Sequence, residues 1–74
     1  MRLTREAKIV LDIFRKLHIQ TGNTVRFDSI FDHVGAASVA RKGVAELERL
    51  GLIVGQNEDA QLTPAGYEEM WSIR

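Results

Sequence analysis

The 74-residue sequence predicts one α+β domain, residues 1–74, that is mainly helical and carries a small β-hairpin. Apolar residues recur at helical spacing in several segments that end at isolated glycines. Two short β-prone runs, 52–54 and 61–63, enclose a polar stretch, which is typical of a hairpin. The predicted order is therefore helix, strand, helix, helix, strand, turn, strand, helix.

The first helix is predicted over 3–19, with Thr4 as its N-cap. At about 100° per residue, its apolar side chains cover more than half of the circumference. Because so wide an arc exceeds what the neighbouring helices need, we expect a homodimer through the first and last helices, or a protein partner on that strip. The basic residues of this helix surround Asp12 and form either a second basic patch or a solvated surface: Arg5, Lys8, Arg15 and Lys16.

Two further helices follow a short strand at 24–27. Asp28 is the predicted N-cap of the second helix, which covers 29–34. The third helix covers 37–50, and Gly51 stands at the position where glycine commonly ends a helix.

The hairpin is expected to have a polar turn at 55–60, and a last helix follows it to the C-terminus. Thr63 followed by Pro64 is a favoured helix start, because the threonine caps and proline fits the first turn. Three large side chains of this helix share a face that we interpret as core: Tyr67, Met70 and Trp71.

The third helix has two unlike faces. Its predicted buried face comprises Ala36, Val39, Ala40, Gly43, Val44, Leu47 and Leu50. Gly43 stands at the edge of that face, which indicates close packing against another helix. The opposite face is small and basic, with Glu46 and Glu48 at its margins, and comprises Ser38, Arg41, Lys42, Ala45 and Arg49. Such a face suits a DNA major groove, although any solvated helix surface has a similar composition.

Two segments, taken in order, carry a family resemblance. VAELERLGLI covers 44–53 and LTPAG covers 62–66. Together they resemble the end of the recognition helix and the second hairpin strand of winged-helix DNA-binding domains, as in MarR-like and PadR-like transcriptional regulators. The resemblance implies a winged helix-turn-helix with helix 37–50 in the major groove of double-stranded DNA. The chain departs from that pattern at Glu58 and Asp59, where DNA-binding wings usually carry arginine or lysine, and in having a single helix after the hairpin.

Two functions remain open from the sequence. The first is a DNA-binding transcriptional regulator, with the basic face of the third helix on DNA and Arg26 holding a phosphate. The second is a winged helix that contacts protein without binding DNA, which the acidic turn favours. Ten basic and ten acidic residues give zero net charge, so DNA binding depends on where the charges lie.

Several other classes are not expected. The absence of cysteine excludes a disulfide framework and cysteine-based zinc sites, and neither His18 nor His33 has metal-ligand spacing. The short apolar runs predict neither a membrane span nor a secretory signal, so the expected location is cytoplasmic. A domain this small has little room for an enclosed cleft, so we expect no enzyme activity and no cofactor.

Overall fold

The computed structural model describes residues 2–72, which form four helices and a three-stranded antiparallel sheet. The helices are α1 (Arg5–Lys16), α2 (Phe27–Val34), α3 (Ala37–Arg49) and α4 (Pro64–Met70). The strands are β1 (Thr24–Arg26), β2 (Ile53–Gln56) and β3 (Asp59–Leu62), in the spatial order β1-β3-β2. The α+β class and the predicted order of elements are confirmed.

Helix α1 is the centre of the core. Thr4 caps it as predicted, because its hydroxyl oxygen accepts a hydrogen bond from the Ala7 amide at 3.2 Å. The helix ends at Lys16, not at residue 19, because the chain enters a left-handed conformation at His18, where φ is 56°. Its apolar arc packs against the other helices of the same chain and is buried at Ala7, Val10, Leu11, Ile13 and Phe14. The wide uncovered strip expected from the sequence is therefore absent among residues 2–72.

The second helix begins earlier than predicted. It starts at Phe27 with Arg26 as its N-cap, so Asp28 lies in the first turn instead of capping the helix. An acidic residue is also favourable there, because it faces the positive end of the helix dipole. Helix α3 starts at Ala37 as predicted and ends at Arg49, one residue earlier than predicted, and Gly51 follows the C-cap Leu50 with a φ of 75°.

The turn of the hairpin is shorter than predicted. Strand β2 continues to Gln56 and β3 begins at Asp59, which leaves only Asn57 and Glu58 between them. Asn57 has a φ of 55°, a conformation that asparagine tolerates better than most residues, so the chain reverses tightly without glycine. The Glu58 carbonyl accepts a hydrogen bond from the Phe27 amide at 2.9 Å. The turn is therefore tied to the start of α2.

Helix α4 begins where the sequence predicts. The Thr63 hydroxyl oxygen accepts from the Gly66 amide at 3.0 Å, and its proton faces two carbonyl oxygens, Gly51 at 2.8 Å and Leu52 at 2.9 Å. The helix ends at Met70, and residues 73 and 74 lie outside the described residues.

The aromatic face of α4 is only partly core. Met70 is fully buried, but the prediction of a core position for Trp71 is wrong, since 53% of that residue is exposed. Its ring instead meets Tyr67 edge-on, with centroids 6.2 Å apart. Within residues 2–72 no helix is both long enough and apolar enough to cross a membrane.

Candidate functional site

Helix α3 has one buried face and one exposed face, largely as its sequence predicts. The buried residues are Ala40, Gly43, Val44 and Leu47, and Val39 and Leu50 are half-buried. Ala36 is exposed, which contradicts its predicted place on the buried face. It is the N-cap and has an extended conformation, so the helical periodicity does not reach it.

The outward face of α3 is exposed to solvent. We call this surface the α3 face; it comprises Ser38, Arg41, Lys42, Ala45 and Arg49. Among the described residues, neither Arg41 nor Lys42 forms a salt bridge. Their charged groups are therefore free to contact an external acceptor.

Arg49 forms an ion pair with a neighbouring carboxylate. Its Nη2 atom lies 3.8 Å from Oε1 of Glu46, one turn earlier on α3. The other carboxylate oxygen of Glu46 accepts a hydrogen bond from the Thr4 amide at 2.9 Å. Glu46 therefore ties the start of α1 to the C-terminal half of α3, and it is only 17% exposed.

Arg26 belongs to a different group of residues from the α3 face. It pairs with Asp59 in the register between β1 and β3, and its Nη2 atom lies 3.5 Å from Oε2 of Glu58. Both side chains of that ion pair are well exposed, so it contributes little to stability. The predicted phosphate-binding arginine thus stands beside the hairpin turn, next to an acidic residue.

An open groove lies on the surface where the first turn of α1 meets α3. It has a volume of about 380 Å³ and is lined by Thr4, Glu6, Lys42, Ala45, Glu46 and Arg49. A smaller depression of about 200 Å³ adjoins it through Glu6 and is lined by Arg5, Glu6, Ile9 and Val39. The first turn of α1 therefore forms one wall of the surface that contains Lys42 and Arg49.

The closeness of Arg5 and Glu6 to α3 does not follow from the sequence. Helical spacing groups Arg5 with the basic residues at the other end of α1, where Arg15 and Lys16 approach Asp12 at 2.6 and 3.2 Å. Gly43 does indicate from the sequence that another helix packs closely against α3, but it does not indicate which helix. The structure shows that the partner is the Glu6 backbone.

The two histidines lie outside this site. The Nδ1 atom of His33 is 2.8 Å from the Ser29 carbonyl oxygen, one turn earlier in α2, and the side chain is exposed. His18 occupies the left-handed position after α1. Across residues 2–72, no three histidine, aspartate or glutamate side chains converge as a metal site would require.

Comparison of the chain with protein-family models, with curated proteins and with solved structures gives no significant match.

Proposed function

We propose that this chain is a winged-helix domain that binds double-stranded DNA with α3 in the major groove, and that it acts as a transcriptional regulator. The observation that carries the proposal is the α3 face, a small and basic surface on the helix that follows α2 across a tight turn at Gly35. In a helix-turn-helix, the second helix of such a pair enters the groove.

The order and pairing of the elements support this assignment. The α2–α3 pair is followed directly by the β2–β3 hairpin, and β1, which precedes α2, pairs with β3. This is the arrangement that a winged helix-turn-helix requires. Helix α3 has 13 residues, a length of about 20 Å, which is enough to present three turns to a groove about 12 Å wide.

Each residue of the α3 face has a role that its chemistry suits. Arg41 donates two parallel hydrogen bonds to a guanine edge, and Lys42 holds a phosphate or a base acceptor. Ser38 donates to a base or a phosphate. Ala45 lets the helix backbone approach the bases closely. Arg49 adds positive charge, reduced by its contact with Glu46.

A second candidate function is a winged helix that contacts a protein partner. The acidic hairpin turn favours it, because Glu58 repels phosphate and its carboxylate pairs with Arg26. The same domain then uses its mixed charges to recognise a surface of mixed sign, without the strong salt dependence of DNA binding.

The homodimer stays a prediction, with a smaller basis than the sequence suggested. Most of the apolar arc of α1 is buried within one chain, and among residues 2–72 the large apolar residues exposed on or next to α1 and α4 are Leu17 and Trp71. A two-fold dimer through these helix ends would supply two copies of α3 for two DNA half-sites.

The experiment that tests the function is the salt dependence of binding to a fluorescently labelled duplex of mixed sequence. We expect the logarithm of the association constant to fall linearly with the logarithm of salt concentration, with a slope near −0.9 for each phosphate contacted. Replacing Arg41, Lys42 and Arg49 together by glutamine should abolish most of this binding, and circular dichroism should show an unchanged fold. Absence of binding at low salt would reject DNA as the ligand and leave the protein-contact function.

A further inference from the structure

The charges on the two sides of α3 differ. On one side, the exposed Arg5 of α1 lines a depression with Val39, and Glu6 separates this depression from the groove that Lys42 and Arg49 line. On the other side, the carboxylate of Glu48 lies against Gly55 of β2, since a Cβ there would be 2.8 Å from Oε2 of Glu48. On the side towards α1, two cations have no salt-bridge partner among residues 2–72: Arg5 and Lys42.

The packing of α1 on α3 fixes this arrangement. The Glu6 carbonyl occupies the space that a Cβ at Gly43 would fill, so the two backbones touch at that point. Arg5 precedes Glu6 and Lys42 precedes Gly43 in the chain, so both cations stand next to the closest approach of the helices. The Thr4–Glu46 hydrogen bond of 2.9 Å holds the same turn of α1 against α3.

Of the two acidic residues that line this region, Glu46 is partly neutralised and Glu6 has no salt-bridge partner among residues 2–72. One oxygen of Glu46 accepts from the Thr4 amide, and the other faces Arg49. Glu6 is half-buried in the wall between the two depressions. Across the described residues, neither Arg5 nor Lys42 has a salt-bridge partner, so both charges are available to a phosphodiester.

The hairpin turn, in contrast, is acidic. Arg26, the cation that contacts the turn within residues 2–72, is paired with Glu58, and Asp59 stands opposite Arg26 in the sheet. The turn has only two residues, and its Glu58 carbonyl is bonded to the Phe27 amide. A turn this short, tied down and acidic has neither the reach nor the charge to hold DNA.

We propose that one strand of the phosphate backbone is held by Arg5 of α1 together with Lys42 and Arg49 of α3, and that the hairpin turn makes no contact with DNA. This inference rests on the proposed DNA-binding function and names the second element of the interface. Positive charge on α1 then performs the anchoring role that a basic wing tip would otherwise perform.

The test compares variants of the full chain on a fluorescently labelled duplex of mixed sequence over a series of salt concentrations. Arg5→Gln should weaken binding several-fold at low salt and make the salt slope shallower by about 0.9, the value for one lost phosphate contact. Lys16→Gln is the control for position: it removes one positive charge from an exposed side chain at the far end of α1, about 16 Å along the helix axis, where the charge lies 3.2 Å from Asp12. Its slope should equal that of the wild type. Arg5→Lys, which keeps the charge, should restore most of the binding.

The hairpin is tested by Glu58→Gln, which removes the turn's carboxylate and releases Arg26. We expect affinity and salt slope to stay at wild-type values, whereas a rise in affinity would show that the turn touches DNA and would overturn that part of the proposal. An unchanged slope for Arg5→Gln, or an equal loss for Lys16→Gln, would overturn the role of Arg5 while leaving DNA binding intact. If the wild-type chain binds no duplex at low salt, the proposed function fails together with this inference.

Discussion

The carbonyl oxygen of Glu6 in α1 occupies the position that a side chain at Gly43 of α3 would take. This contact places the start of α1 beside the α3 face and joins the core of the domain to its candidate site. Glycine in the middle of a helix lowers helix stability by about 1 kcal/mol relative to alanine. Here that cost is offset by the close approach of the two helices, which no larger residue permits.

Gly43→Ala should therefore destabilise the fold, although alanine is the better helix former. The added methyl group overlaps the Glu6 carbonyl and forces α1 away from α3, at a cost of about 1–3 kcal/mol in the free energy of unfolding. Urea denaturation measures the change. Ser38→Ala, an exposed substitution on the same helix, should stay within about 0.5 kcal/mol of wild type. A Gly43→Ala variant more stable than the wild type would contradict the contact.

Thr63 should be a second sensitive position, because one hydroxyl joins the segment before β2 to α4. It accepts from the Gly66 amide, and its proton is within hydrogen-bond distance of the Gly51 and Leu52 carbonyls. Thr63→Ala should lower the free energy of unfolding by about 1–2 kcal/mol, whereas Thr63→Ser, which keeps the hydroxyl, should retain most of it. Equal losses in the two variants would show that the methyl group, and not the hydroxyl, matters at this site.

Arg41→Ala should separate binding from folding. If Arg41 contacts a base, its removal weakens binding to a preferred sequence, selected from a random duplex library, by about 1–3 kcal/mol. The thermal midpoint should stay unchanged, because the side chain is exposed and has no ion-pair partner among residues 2–72. A lowered midpoint with full binding would place Arg41 in the fold instead of the interface.

The oligomeric state tests whether the exposed apolar residues at the ends of α1 and α4 form a dimer interface. Sedimentation equilibrium at micromolar concentration should give twice the chain mass of 8.3 kDa if these ends form a dimer. Trp71→Ser should then reduce the mass, since that residue is 53% exposed and available to a second copy. A mass that stays at 8.3 kDa over the concentration range would refute the homodimer.

Much of the fold could be predicted because the ends of its helices are set by residues close to them in the chain. Thr4 and the Thr63–Pro64 pair mark helix starts, and Gly51 marks a helix end, since each acts on its own neighbouring backbone. The hairpin turn was mispredicted because Asn57 adopts a left-handed conformation next to glutamate, without the Asn-Gly pair that usually announces a tight turn.

The candidate site was predicted within one helix but not between helices. Periodicity places side chains on a face of their own helix, and it correctly predicts that Arg41, Lys42 and Arg49 are exposed. It carries no information on which helix packs where, so the closeness of Arg5 to α3 was missed. The exposure of Trp71 was missed for a related reason: α4 ends at Met70, so its helical face does not extend to the next residue.

The central claim is that the α3 face is the surface that contacts DNA, and nuclear magnetic resonance mapping tests it most directly. Adding unlabelled duplex to the ¹⁵N-labelled chain should shift amide signals within α3, from Ser38 to Arg49, and at Arg5. Signals of Val54 on β2 and Glu68 on α4 should stay in place, because both residues lie outside the α3 face and the first turn of α1. Shifts concentrated on β2 or α4, with α3 unchanged, would contradict the account.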